Sequence, residues 1–104
     1  MSIISEVLEE ELQRILRMQK VYQKELSSLK QGNLIFRKLP HSNNEYLYLA
    51  RRVDGKVKQL YLGQRNEVNI ESLQKELMES KKIKASIKEL SENEEKLRKA
   101  LGNL

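Results

Sequence analysis

The residues equipped for chemistry in this 104-residue chain are cations and tyrosines, and they cluster. Between Lys30 and Arg65 eight Lys and Arg residues stand against two acidic ones, whereas residues 1–29 carry four against five and residues 66–104 eight against eight. The formal charge of +5 therefore comes from the middle of the chain. Lys and Arg neutralise phosphates and tyrosine rings stack on bases, so Arg37, Lys38, Arg51, Arg52, Lys56, Lys58, Arg65, Tyr48 and Tyr61 form the candidate anion- or nucleic-acid-binding set. The same residue types also have a purely structural use. Basic side chains on edge strands suppress sheet-to-sheet aggregation, and tyrosines on a small sheet pack on one another.

Enzymatic chemistry finds few groups to work with. His41 is the single histidine, in a polar loop beside Pro40, and the adjoining Ser42 has no carboxylate that its sequence context would bring near. A tyrosine nucleophile flanked by arginines could be built from Tyr48 or Tyr61, but no catalytic histidine accompanies them. With no cysteine and one histidine, a zinc site lacks ligands, and the four glycines are dispersed instead of forming a phosphate loop. The expectation is a binding protein without catalytic residues, metal or cofactor. The start of the chain, MSIISEVLEEE, is acidic where a secretory signal would be basic, and no apolar run approaches the ~20 residues of a membrane span. A soluble, cytoplasmic protein without a membrane partner is expected.

The candidate residues need a scaffold, and the stretch from Glu45 to Gly63 supplies it as a β-hairpin. Asp54-Gly55 lies between two runs rich in Tyr, Leu and Val, and that dipeptide provides the positive φ angles of a two-residue type I′ turn. Counting outward, Arg51 faces Lys58, Leu49 faces Leu60, Tyr48 faces Tyr61 and Leu47 faces Leu62. Alternation then puts Leu47, Leu49, Leu60 and Leu62 on one side, the core side, and Tyr46, Tyr48, Ala50, Arg52 and Tyr61 on the other. The like-charged Arg51 and Lys58 cost a fraction of a kcal/mol as a cross-strand pair, which suggests that an anion sits there in the working state. Residues 33–39 read as a third strand, joined to the hairpin by the turn formers Pro40 to Asn44.

Long helices flank the sheet. Ile4, Leu8, Leu12, Ile15, Met18, Tyr22, Leu26 and Leu29 recur at steps of three and four, predicting a helix over 3–31 that Gly32 terminates. A second helix starts at Asn69 as N-cap, with Val68 stapled on Leu73, and runs to about Leu101. Its later half keeps a coiled-coil seam through Ile83, Ile87, Leu90, Glu94, Leu97 and Leu101, with Glu94 as a polar interruption. The first half, Ile70, Leu73, Leu77, Ser80 and Ile83, has an extra step of three, a stammer. The predicted fold is α+β in a single domain: helix, basic three-stranded antiparallel sheet over 32–65, and helix, with the two helices paired as an antiparallel coiled coil. Ile3, Val7, Leu16, Val21, Met78 and Ala100 extend beyond one seam, so a homo-oligomer through the helices is expected.

Tyr46-Leu47-Tyr48-Leu49, Arg51-Arg52, Gly55-Lys56-Val57-Lys58 and Tyr61-Leu62-Gly63 resemble a hairpin found in small prokaryotic and phage helix–hairpin–helix proteins without an assigned function. Similar hairpins occur near the amino termini of some transposases, and the basic three-stranded sheet resembles arm-site DNA-binding domains of tyrosine recombinases. The long helices depart from the recombinase pattern, and antiparallel helices with a β tip are similar in architecture to prefoldin chaperones. The hairpin resemblance implies a phage or mobile-element setting with Arg51, Arg52, Lys56 and Lys58 meeting a nucleic-acid backbone or another anion. Two functions follow as expectations: a nucleic-acid-binding module, or an oligomeric interaction or sequestering factor for an acidic protein surface or nucleotide-like ligand. Exposed tyrosines beside Arg52 would favour the first, buried ones the second.

Overall fold

The computed structural model describes residues 2–103. They form α1 (Ile3–Ser27), β1 (Asn33–Lys38), β2 (Glu45–Val53), β3 (Lys56–Gln64), a 3-10 turn (Arg65–Glu67) and α2 (Ile70–Gly102), the expected helix, sheet and helix of an α+β chain. Contacts gather into two compact units: residues 29–80 hold the sheet and the opening of α2, and α1 lies with the rest of α2 in the other.

In the helical unit, α1 begins with a cap: the Ser5 amide donates to Ser2 Oγ at 3.1 Å, and Glu6 sits in the first turn where the helix dipole favours it. Leu12 and Ile15 of α1 and Ile83 and Leu90 of α2 are buried. The helices run antiparallel, so Gln19 Nε2 donates to Glu94 Oε1 at 3.0 Å while Arg98 Nε donates to Glu94 Oε2 at 2.8 Å. These bonds, from Arg98 first and Gln19 second, hold the Glu94 carboxyl below its usual range. A carboxyl depressed on folding adds stability above its unfolded-state pKa and loses it as pH falls through the lower folded value. Thermal melts across the acidic range are expected to show this loss. It should shrink in Glu94→Gln, which still accepts one bond but does not titrate.

α1 ends earlier than its periodicity predicts, at Ser27 instead of residue 31. Ser27 Oγ donates to Lys24 O at 2.6 Å and Ser28 Oγ to Glu25 O at 2.7 Å, so two hydroxyls compete with the helical ladder where apolar spacing alone would continue it. Gly32 is therefore not the helix stop. It has φ 122°, and a Cβ built on it would lie 2.2 Å from the carbonyl oxygen of Ala50. Its role is to let the chain pass against β2.

The sheet unit has strand order β1-β2-β3, antiparallel throughout. Asp54 (φ 52°) and Gly55 (φ 79°) adopt the left-handed turn that was expected, and the register follows the count from Val53 opposite Lys56 to Tyr48 opposite Tyr61. Beyond that pair it departs. A bulge between Leu47 and Tyr48 makes Leu62 an extra residue, and Leu47 faces Gly63 instead. Leu62 nevertheless packs on the core side, where alternation places it, against the cluster of Leu49, Leu73 and Leu77 that Leu34 and Val68 also join. Leu60, assigned by alternation to the core side, is 60% exposed because the α2 cover does not reach it. Asn69 caps α2 as expected, Oδ1 accepting from the Ser72 amide at 3.0 Å. The polar residue in the stammer has a specific use: buried Ser80 donates to Lys30 O at 2.5 Å, and Glu76 accepts from the Lys30 amide at 2.9 Å, so α2 clamps the strand entry by both backbone groups of one residue.

Candidate nucleic-acid interface

The opening of α2 covers the face of the sheet bearing Leu34, Leu47 and Leu49. The register places Ile35 and Arg37 from β1, Tyr46, Tyr48, Ala50 and Arg52 from β2, and Val57, Gln59 and Tyr61 from β3 together on the opposite face. Within this set Val57 is 60% and Tyr61 52% exposed, Arg37 and Arg52 are exposed, and Tyr46 and Tyr48 are half-buried.

The tyrosines on that face touch one another. The Tyr61 ring centroid lies 5.4 Å from Tyr48 and 6.4 Å from Tyr46, both tilted, so an exposed ring is braced on two half-buried ones. Arg37 completes the cluster: its guanidinium lies 5.3 Å from the centre of the Tyr48 ring, and Nη2 donates to Gln59 Oε1 at 2.7 Å. A long, flexible side chain is thereby held in one place. The Tyr61 phenol is pushed above its usual range, by desolvation first and then by the charge of Glu67 and the phenols of Tyr46 and Tyr48.

The nine candidate residues do not form one patch. Arg37, Arg52, Tyr48 and Tyr61 share the uncovered face, while Lys38, Arg51, Lys56 and Lys58 belong to the other face of the sheet. Arg51 and Lys58 stand directly opposite each other and, like Lys56, are exposed, so the hairpin tip presents cations on both sides. Arg65 has a different use. It pairs with Glu45 at 2.5 Å and lies over the Phe36 ring at 5.5 Å, fastening the end of β3 to the sheet. Tyr46 and Gln59 belong to the uncovered face although neither stood among the candidates. Alternation from Tyr48, two residues away, places Tyr46 on this side, as the sequence reading has it. The contact of Gln59 with Arg37 could not be found from sequence, since it spans β1 and β3 across β2.

The histidine and the serine lie in the loop between β1 and β2. His41 is exposed, and Ser42 Oγ accepts from the Asn44 amide at 3.1 Å, a local turn bond. Among the described residues no three acidic or histidine side chains gather as metal ligands, and no helix is long and apolar enough to cross a membrane.

Fold and face together define an α+β helix–sheet–helix protein whose small sheet is covered by a helix on one side and displays tyrosine and arginine on the other. The chain belongs to the DUF6788 family, a domain of unknown function, which it matches over residues 3–77, from the start of α1 through the sheet and into α2. Comparison with curated proteins and with solved structures finds no match.

Proposed function

We propose that the protein is a nucleic-acid-binding module whose uncovered sheet face receives unpaired bases while the cations of the hairpin tip meet the phosphates. The observation that carries this reading is the exposed Tyr61 ring, braced by Tyr48 and Tyr46, with Arg37 over Tyr48 and Arg52 further along the same face, on the side that α2 leaves open. An aromatic face offers every base a stacking partner without reading its edge, so binding would be strong for single strands and tolerant of sequence. Arg51, Lys56 and Lys58 would neutralise the backbone at the tip, and like-charged neighbours there would be relieved by the anion between them.

The test is fluorescence anisotropy with labelled single-stranded DNA and RNA and the matching duplexes, over a series of salt concentrations. Single strands should bind more tightly than duplex, with log K falling by about 0.7 per neutralised phosphate for each unit of log salt. Replacing Arg51, Arg52, Lys56 and Lys58 together by Gln should abolish binding and flatten that slope while the helical circular-dichroism signal persists. Binding unchanged in that variant, or absent from every oligonucleotide at low salt, would overturn the proposal.

A further inference from the structure

α1 carries a second seam that its own chain leaves in water. Leu12 and Ile15 belong to the buried seam. Roughly a quarter turn around the same helix, Ile4, Val7, Glu11, Arg14, Met18 and Val21 recur at alternating steps of three and four, the spacing of a coiled-coil contact. Ile4 is 65%, Val7 56% and Val21 63% exposed, and Met18 and Val21 line a shallow apolar groove beside Arg14 and Tyr22. Single exposed apolar residues are ordinary, but a regular row of them is a contact surface.

The order of this row says what covers it. Read from either end, it runs two apolar residues, two charged residues, two apolar residues, with the same spacing in both directions. Only the charge sign reverses, and Glu11 and Arg14 at the centre are already ion-paired within the chain. A second α1 laid antiparallel on the first therefore sets Ile4 on Val21, Val7 on Met18 and Glu11 on Arg14, each contact occurring twice about a two-fold axis. The flanks obey the same rule. Glu6, Glu9 and Glu10 occupy the first half of α1 and Arg17, Lys20 and Lys24 the second, so antiparallel copies bring acid against base, whereas parallel copies would stack like on like. Opposed helix dipoles favour the same orientation. We infer that the protein forms a symmetric homodimer in which the Ile4 to Val21 face of α1 packs antiparallel on the same face of a second copy. This contact stands on α1 alone and does not depend on what the sheet binds.

The experiment is sedimentation equilibrium of the full chain and of two charge variants, Glu11→Arg and Arg14→Glu. The unaltered chain is expected to be a dimer at micromolar concentration. Each variant alone should shift to monomer, because its central positions become four like charges, and an equimolar mixture of the two should recover the dimer as a heterodimer. An effect confined to the intrachain pair would not be rescued by mixing, so failure to recover, or a monomeric unaltered chain, overturns the inference. As a second measurement that tolerates altered folding of the charge variants, Val7→Cys and Met18→Cys chains are oxidised together in this otherwise cysteine-free protein. Crosslinks between the two kinds of chain should dominate over those within either kind, and equal yields would equally overturn it.

Discussion

Replacing Tyr61 by Ala is expected to weaken single-strand binding by about 1–3 kcal/mol, roughly 5- to 150-fold, the range for removing one base-stacking ring. The loss should be larger than for Tyr46 or Tyr48, because Tyr61 is 52% exposed and they are half-buried beneath it. Tyr61→Phe should retain most of the affinity, since stacking needs the ring and not the hydroxyl. The informative control is Leu60→Ala. Leu60 is the next residue on the same strand, 60% exposed, but it points to the opposite face, opposite Leu49. Its replacement should leave affinity near that of the unaltered chain. Anisotropy titrations of the two variants side by side decide the matter: equal losses would mean that the face orientation plays no part, and an unaffected Tyr61→Ala would remove base stacking from the account. Arg37→Gln should fall between them, losing a charge and the cation over Tyr48 while leaving the rings in place.

The second large effect concerns stability. Gly32→Ala should destabilise the protein by about 4 kcal/mol or more, beyond the ordinary range of point substitutions. Two independent causes combine there. The backbone at φ 122° is one that L side chains rarely adopt, and the added methyl would lie 2.2 Å from Ala50 O and 3.1 Å from Ala50 C, atoms of a strand that cannot rotate away as a side chain would. Gly55 provides the comparison. It too has positive φ, 79°, but a Cβ there meets nothing within 4 Å, so Gly55→Ala should cost only the left-handed strain of roughly 1–2 kcal/mol. Urea denaturation followed by circular dichroism separates the two cases. If the two variants unfold at the same denaturant concentration, the close approach of residue 32 to β2 is not what holds the strand entry in place.

Gly32 also marks the boundary between what could be read along the chain and what could not. Features determined by neighbours within a few residues were legible. Asp54-Gly55 alone sets the hairpin turn and six cross-strand pairs, from Val53–Lys56 to Tyr48–Tyr61, because a two-residue left-handed turn admits one register. Asn69 announces α2 because its side chain caps an amide three residues on, and the apolar spacing of α1 identifies Leu12 and Ile15 as core. The charge partition that locates the candidate site is likewise a property of sequence alone.

Features that depend on what packs where were not legible. The bulge at Leu62 is one: the count from the turn carries an unbroken register to Leu47 opposite Leu62, whereas Leu47 faces Gly63, although Leu62 does lie on the core side where alternation places it. α1 stops at Ser27 because hydroxyl bonds back to Lys24 and Glu25 end it before its apolar spacing does, so periodicity overestimates its length. Most consequential for function, the middle of the sequence presents its cations as one group, but alternation across three strands and the covering of one face by α2 divide them. Arg37 and Arg52 join the tyrosines, Lys38, Arg51, Lys56 and Lys58 turn to the other side, and Arg65 is taken up by Glu45. Composition determined that this protein has a basic, aromatic sheet. Which of its charges stand on the tyrosine face and which gather on the other side of the hairpin tip was decided by tertiary structure, because strand pairing and helix packing join residues that are distant in sequence and separate those that are adjacent.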